Sequence, residues 1–233
     1  MPDPVRVQAG AGVTEITLDR PPVNAMDLPA IEALTAAFGM AAKAVPVILT
    51  GGGDVFSAGV DTKAFGSYAP AEKAAMIRAI TRMTAVILSH PAPVVAAVNG
   101  HALGGGFVLM LCADVRLVTS ESAARFGLTE AKAGVPFPAG PLEIIRAEVE
   151  ANLLRRLTLT SAVISAAELS AHGLADQLVA PPDLLETARR AALETAAQPA
   201  FGVVKRQVRS GLIQRVKALA ESGDDPLARS FET

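Results

Sequence analysis

Three consecutive glycines, Gly104, Gly105 and Gly106, stand directly before a strongly apolar run over residues 107–112. A glycine inside a helix costs about 1 kcal/mol relative to alanine, so such a cluster is normally kept where backbone must approach another group closely. The strand-like residues 115–118 follow, which favours a helix over a strand for the apolar run. The sequence therefore predicts a buried helix whose first N–H groups are open to a ligand.

Strands and helices alternate on both sides of this helix. Residues 5–19 carry alternating apolar side chains around a Gly-Ala-Gly turn at 10–12, which predicts a β-hairpin. Asp27 is placed to cap a helix that reaches about residue 44. The apolar spacing further predicts strands over 45–50, 55–56 and 94–98, a helix over 70–88, and a helical last third that ends with helices over 183–197 and 201–221.

The composition excludes several classes of protein. Of the 233 residues, 51% are hydrophobic and 19% are charged, with 21 basic against 23 acidic side chains. Such a chain is too apolar for disorder and too evenly charged to track a phosphate backbone, so we expect no nucleic-acid partner. No apolar run approaches the roughly 18 residues of a membrane helix, and the start, Met-Pro-Asp-Pro, lacks the regions of a signal peptide. We therefore expect a soluble, cytoplasmic protein without a membrane partner.

The cysteine and histidine residues form no pattern for binding a metal. Cys112 is the only cysteine, which excludes an intrachain disulfide and a cysteine cluster for zinc. The histidines at 90, 101 and 172 are far apart in sequence and form no H-E-x-x-H pair. Neither glycine cluster has the spacing of a dinucleotide-binding or P-loop motif. The sequence therefore predicts no metal site and no nucleotide fingerprint.

Four short segments occur in an order that packing alone does not require. They are Asn-Ala-Met-Asp at 24–27, Phe-Ser-Ala-Gly-Val-Asp at 56–61, Asn-Gly-His-Ala-Leu-Gly-Gly-Gly at 99–106 and Phe-Gly-Leu-Thr-Glu at 126–130. In this order the chain resembles the enoyl-CoA hydratase/isomerase family, the crotonases, over nearly its whole length. The resemblance implies an α/β crotonase-like spiral of β-β-α units with a helical C-terminal trimerisation region. The core would comprise residues 1–180 and the helical region residues 181–233, within one structural unit.

The resemblance also implies a partner, an assembly and a binding site. The partner would be an acyl-CoA thioester, with CoA as part of the substrate and no separate cofactor, and the assembly a homotrimer or a dimer of trimers. The thioester carbonyl would lie in an oxyanion hole made by the backbone N–H groups of Ala58 and Gly105, which we expect to converge and to be free of internal hydrogen bonds. Ser57, Asp61 and Gly104 would complete the substrate-binding residues.

The acidic residues bear on the reaction. Many hydratases of this family carry two glutamates, and the matching positions here are Val108 and Glu130. Addition of water to a double bond suits two carboxylates, whereas moving a double bond from the 3,4 to the 2,3 position needs a single base. The resemblance therefore favours a 3-enoyl-CoA isomerase with Glu130 as its catalytic residue. A hydratase that uses Glu130 alone and a non-catalytic acyl-CoA-binding protein stay open as alternatives.

Five further polar residues are weaker candidates for a role. Lys63, Lys205 and Arg209 carry positive charges that would suit the phosphates of CoA. Asp114 follows the predicted buried helix and resembles a structural aspartate of the family. His101 adjoins the glycine loop, and we expect its ring to be satisfied by backbone groups.

Overall fold

The structure is a computed structural model and describes residues 3–232. Three residues, Met1, Pro2 and Thr233, lie outside the described residues. The prediction that the chain lacks a signal peptide depends partly on the first two. The strands are β1 (Val5–Gly10), β2 (Val13–Leu18), β3 (Val47–Gly51), β4 (Val55–Ser57), β5 (Val94–Val98), β6 (His101–Leu103), β7 (Val115–Thr119), β8 (Phe126–Gly127), β9 (Val163–Ile164) and β10 (Gln177–Val179). The α-helices are α1 (Leu28–Met40), α2 (Thr62–Ser67), α3 (Pro70–Leu88), α4 (Gly105–Cys112), α5 (Glu130–Ala133), α6 (Ala139–Glu148), α7 (Ala151–Leu159), α8 (Ala166–Ala171), α9 (Leu184–Ala196), α10 (Phe201–Ser222) and α11 (Pro226–Arg229).

The larger sheet has the strand order β1-β2-β3-β5-β7-β10. The first two strands form the predicted antiparallel hairpin, in which Val5 lies opposite Leu18 and Gly10 opposite Val13. The other pairs in this sheet are parallel. The central strands β3 and β5 are buried along their whole length, which explains why both are nearly continuous apolar runs.

The smaller sheet has the order β4-β6-β8-β9, and its first three strands are parallel. Each of these strands has only two or three residues, and the sequence predicted β4 alone. The carboxyl ends of neighbouring parallel strands lie at one edge of a sheet, where α/β proteins commonly bind ligands. Residues 58–61, the glycine loop and residues 128–130 follow β4, β6 and β8, so the fold brings these segments together.

The predicted buried helix is α4, and Gly106 and the residues after it are buried. Gly104 precedes α4 with φ of 52°, a backbone conformation that favours glycine. A side chain on Gly106 would collide with the carbonyl oxygen of Ser57, so the start of α4 lies directly against the end of β4. Gly106 is therefore required by a close approach of two backbone segments, and Gly104 by its backbone conformation.

The remaining helices agree with the predictions except at some ends. Helix α3 covers the predicted residues 70–88. The Asp27 carboxylate caps α1 by accepting a hydrogen bond from the Ala30 N–H at 3.0 Å, but α1 ends at Met40, before the predicted residue 44. A turn over 42–45 and then Pro46 lead into β3 and end the helix early. Among the helices of residues 3–232, none combines the length and apolarity that crossing a bilayer requires.

A buried ionic network joins α10 to the larger sheet. The Asp114 carboxylate accepts hydrogen bonds from the Val94 N–H at 2.9 Å and from Lys205 Nζ at 2.6 Å. Arg209 Nη1 lies 3.5 Å from the same carboxylate, and its Nη2 lies 3.3 Å from Glu148. Burial lowers the pKa of Lys205. Asp114 thus has the predicted structural role, and Lys205 and Arg209, whose charges would suit the phosphates of CoA, have their partners within this network.

Candidate active site

A cavity of about 460 Å³ is lined by residues that follow the carboxyl ends of β4, β6 and β8. Val60, Gly104, Gly105 and Glu130 all lie in its wall. Most of the remaining wall is apolar and includes Met26, Ile80, Met83, Val108, Val135 and Phe137. A largely apolar cavity with a few convergent polar groups is the usual form of a site for a small organic ligand.

Glu130 begins α5 and points its carboxylate into this apolar surrounding. Its Oε1 lies 3.3 Å from the position that a Cβ atom would take on Gly104. Its Oε2 is buried and has no hydrogen-bond partner among residues 3–232. Burial raises the pKa of Glu130 from 4.5 to about 7. At neutral pH the carboxyl group is therefore populated in both protonation states, which suits a group that must both accept and return a proton.

The Gly105 N–H lies at the first position of α4, where no intrahelical acceptor exists. Within the described part of the chain it donates no hydrogen bond. Gly59 packs against this nitrogen, because a Cβ atom on Gly59 would lie only 2.8 Å from it. Gly105 is thus placed as predicted, with a free donor at the start of a buried helix.

The structure corrects the prediction for Ala58. The Ala58 N–H donates to the Val23 carbonyl oxygen at 2.9 Å and is not free for a ligand. The prediction is therefore wrong. Gly59, which follows with φ of 86°, interrupts the regular strand alternation, so the direction of the Ala58 N–H does not follow from the sequence pattern.

Val60 supplies the donor that Ala58 does not. Met26 forms a parallel bridge to Val60, in which Met26 N–H donates to Gly59 O at 2.7 Å and Asp61 N–H donates to Met26 O at 2.8 Å. In a parallel pair this arrangement turns the Val60 N–H to the side facing away from Met26. Within residues 3–232 the Val60 N–H donates no hydrogen bond. The Val60 nitrogen lies 3.7 Å from the Cβ position of Gly105, so two unused N–H donors adjoin at the cavity.

Ser57 has a structural role. Its side chain is fully buried, its hydroxyl donates to Asn24 O at 2.8 Å, and its Oγ accepts from Gly59 N–H at 3.1 Å. It does not line the cavity. The prediction that Ser57 binds substrate is therefore corrected, because its side chain is used to hold the loop that presents Val60.

Asp61 lines the cavity but has its partners within the protein. One carboxylate oxygen caps α2 by accepting from Lys63 N–H at 3.1 Å and Ala64 N–H at 3.0 Å. The other accepts from Arg20 Nη1 at 2.9 Å. The Ala64 N–H, together with Arg20, lowers the pKa of Asp61. Of the two carboxylates in the cavity wall, Glu130 is therefore the one without an internal partner in the described residues.

The remaining candidates divide between the cavity and other parts of the fold. Lys63 is exposed and lines the cavity, whereas Lys205 and Arg209 lie away from it. The Nδ1 atom of His101 accepts a hydrogen bond from the Arg125 N–H at 3.0 Å. The expectation that backbone satisfies His101 is confirmed.

Comparisons with known proteins show to which family the chain is similar. The family described as enoyl-CoA hydratase/isomerase matches residues 8–224 of the chain. A probable enoyl-CoA hydratase of Mycobacterium avium (strain 104) is 35% identical over 185 residues, which cover 76% of this chain and 70% of that protein. A carnitinyl-CoA dehydratase of Salmonella typhi is 32% identical, over 96% of this chain and 93% of that protein.

Solved structures show the same fold. An enoyl-CoA hydratase/isomerase family protein from Pseudomonas syringae superposes with a TM-score of 0.86 at 28% identity, covering 94% of this chain and 96% of that chain. Human mitochondrial Δ3-Δ2-enoyl-CoA isomerase gives a TM-score of 0.88 over 98% of this chain and 90% of that chain, at 24% identity, which is a likeness of fold. The predicted crotonase fold is thus confirmed, and the chain is an enzyme that belongs to the enoyl-CoA hydratase/isomerase family.

Proposed function

We propose that this enzyme converts a 3-enoyl-CoA into a 2-enoyl-CoA, with Glu130 as its single acid–base group. The supporting observation is that Glu130 is the one cavity-lining carboxylate without an internal partner among the described residues, while Val108 presents an apolar side chain to the same cavity. The ligand is an acyl-CoA thioester, and the proposal needs no cofactor beyond the CoA of the substrate.

In the first step the thioester carbonyl oxygen accepts hydrogen bonds from the N–H groups of Gly105 and Val60. The Glu130 carboxylate removes a proton from C2, and the electron pair of that C–H bond moves towards the carbonyl oxygen to give a dienolate. Preorganised donors of this kind typically contribute about 3 to 4 kcal/mol each to the transition state. Because both donors are unused in the structure, they need no rearrangement to bind the developing charge.

In the second step Glu130, now protonated, returns the proton to C4. The pair of the original C3=C4 bond takes this proton, the C2=C3 bond forms, and the carbonyl group is restored. Glu130 ends as a carboxylate, so no proton is gained or lost overall. A carboxyl group whose pKa is near 7 is well matched to both transfers.

A hydratase is the second candidate, and the names of two relatives, an enoyl-CoA hydratase and a carnitinyl-CoA dehydratase, favour it. Glu130 alone would then have to activate water and also deliver a proton to the neighbouring carbon. Without a second carboxylate at position 108, hydration by one acid–base group is less favourable than isomerisation, in which Glu130 only removes a proton and returns it.

Assays of the purified protein on matched 3-enoyl-CoA and 2-enoyl-CoA substrates test the proposal. We expect the wild type to isomerise 3-enoyl-CoA at least about tenfold faster than it hydrates 2-enoyl-CoA, because hydration lacks its second acid–base group, and such a group commonly contributes about 10²-fold or more. Val108→Glu should raise hydration, and Val108→Gln, of similar size but without the charge, is the matched control. Efficient hydration with no isomerisation would establish the hydratase, whereas acyl-CoA binding without turnover of either substrate would establish a non-catalytic binder.

The pH dependence of kcat/KM should report the raised pKa of Glu130. The base form is needed for the first step, so kcat/KM for a 3-enoyl-CoA should increase about tenfold per pH unit below 7 and level off above it. Steady-state rates in buffers of constant ionic strength measure this profile. A flat profile across neutral pH would contradict a titrating Glu130.

We propose a homotrimer or a dimer of trimers as the assembly. The apolar residues Val203, Val204 and Val208 are exposed on α10, with Val208 78% exposed. Exposed apolar surface of this kind is typical of an interface between copies of a chain. Light scattering at micromolar concentration should give three or six times the mass of one chain, and a monomer there would contradict the proposal.

A further inference from the structure

The last segment of the chain contributes a wall of the active-site cavity. Leu227 in α11 lines the cavity, as do Ile77 of α3 and Phe65 of α2. Ile77 and Ala228 belong to a small apolar cluster against which Phe65 and Leu227 pack. Phe65 also packs against the main core, which contains Val108. One part of the cavity therefore depends on the position of α11.

A buried carboxylate connects α11 to another part of the cavity wall. Asp225 is only 4% exposed, and its Oδ1 accepts a hydrogen bond from the Leu227 N–H at 2.9 Å. Its Oδ2 accepts from the Ala139 N–H at 2.7 Å. Ala139 follows Phe137 and Pro138, which line the cavity. Asp225 thus connects two stretches of the cavity wall that are far apart in sequence.

Contacts on both sides of α11 keep the segment against α3 and α2. Before α11, Arg78 Nε donates to the Gly223 carbonyl oxygen at 3.0 Å. After α11, Arg78 Nη2 pairs with Glu232 at 2.6 Å, and the ring of Phe231 packs edge-on against Phe65 with centroids 5.9 Å apart. The four-residue helix is therefore held by its neighbours rather than by its own length.

The cavity residues on α3 extend from Ile77 to Thr84. At 1.5 Å per residue these positions span about 10 Å of the wall. Leu227 packs at the Ile77 end, and neither these residues nor Phe65 carries a charge. An apolar wall of this kind fits a hydrocarbon chain, whereas the charged cavity residues Arg20 and Lys63 suit the polar part of a ligand.

We propose that α11 limits the length of the acyl chain, with Leu227 as a specificity-determining residue and Asp225 as a positioning residue. This inference depends on the proposed function only in taking the ligand to be an acyl-CoA. An acyl chain that extends along α3 towards Ile77 meets Leu227, whose place is set by Asp225.

Binding of saturated acyl-CoAs, from butanoyl-CoA to tetradecanoyl-CoA, tests the inference without requiring turnover. With Leu227→Ala, the acyl chain that binds most tightly should be about two carbons longer than with the wild type. Binding of these longer chains should be tighter by about fourfold for each additional buried methylene, which is equivalent to about 0.8 kcal/mol. Leu212→Ala is the matched control, since Leu212 is buried in α10 but does not line the cavity. It should leave the preferred length unchanged.

Asp225→Asn separates positioning from stability. The asparagine side chain keeps one acceptor oxygen but replaces the other with an N–H donor, so only one of the two hydrogen bonds can remain. We expect the same shift towards longer chains, smaller than that of Leu227→Ala. A lower melting temperature with the same chain-length profile would show a merely structural role and overturn the assignment of Asp225.

The outcomes for the two proposals are distinguishable. An unchanged chain-length profile in Leu227→Ala, with a wild type that isomerises 3-enoyl-CoA, would overturn the inference and leave the proposed function intact. A shifted profile with a wild type that turns over no enoyl-CoA would support the inference and overturn the proposed reaction. A wild type that binds none of the acyl-CoAs would overturn both.

Discussion

Replacing Glu130 with glutamine should abolish isomerisation of 3-enoyl-CoA while acyl-CoA binding stays nearly intact. Glutamine has almost the same shape but cannot take a proton from C2, and loss of a general base commonly costs about 10² to 10⁴ in rate. The Gly105 and Val60 donors remain in place because they belong to the backbone. Stopped-flow or steady-state rates and isothermal titration with a saturated acyl-CoA measure the two effects separately. Glu121→Gln, at an exposed position outside the cavity, should retain full activity.

The same substitution should make the protein more stable above neutral pH, which excludes misfolding as the cause of lost activity. The folded-state pKa of Glu130 is about 7 against 4.5 for an ordinary glutamate, so the folded protein holds this proton more tightly than the unfolded chain does. Stability therefore falls as pH rises from about 4.5 to 7, by up to about 3 kcal/mol. Glu130→Gln should recover much of this difference at pH 8 and little at pH 5. Lower stability at both values, together with lost activity, would contradict the assignment.

Replacing Gly106 with alanine should destabilise the protein severely and remove activity. A Cβ atom there would overlap the Ser57 carbonyl oxygen and lie 2.8 Å from the Ser57 Cβ, so α4 would have to move away from β4. Overpacking typically costs about 1 to 3 kcal/mol, and a collision with backbone belongs at the upper end of that range. The movement would also displace Gly105 from Val60.

Urea unfolding measures this effect, and Gly39→Ala provides the matched control. Gly39 lies in α1 with no atom within 4 Å of its Cβ position, so alanine there should stabilise the protein by up to about 1 kcal/mol. If Gly106→Ala unfolds at the same urea concentration as the wild type and keeps its activity, the close approach of α4 to β4 is not needed.

The sequence was sufficient to predict features that depend on periodicity and side-chain type. The hairpin, α3 and the buried helix α4 follow from apolar spacing, and Glu130 and Gly105 from the motif match. The smaller sheet was mostly missed because β6 and β8 have two or three residues each, too few to show an alternation. Its strands are defined by their neighbours, not by their own sequence.

The error at Ala58 has a specific physical cause. Alternation in a strand decides which side an N–H faces, and a glycine with positive φ interrupts it. The position of Gly59 between Ala58 and Val60 was visible in the sequence, but the hydrogen bond from Ala58 to Val23 was not. Likewise, Arg20 and Asp61 are 41 positions apart in the sequence, and Ala139 and Asp225 are 86 positions apart. No local sequence pattern indicates such contacts.

The buried Asp114 network has a consequence for exchanging parts between relatives. Asp114 and Val94 lie in the region up to residue 180, whereas Lys205 and Arg209 lie beyond it. A chimera that joins this core to another protein's helices would leave the Asp114 carboxylate inside without its cations, unless the donor supplies equivalents. Removing one partner of a buried pair typically costs about 3 to 5 kcal/mol, more than the pair itself contributes. A stable chimera therefore requires that Asp114 and its two cationic partners, Lys205 and Arg209, are transferred together.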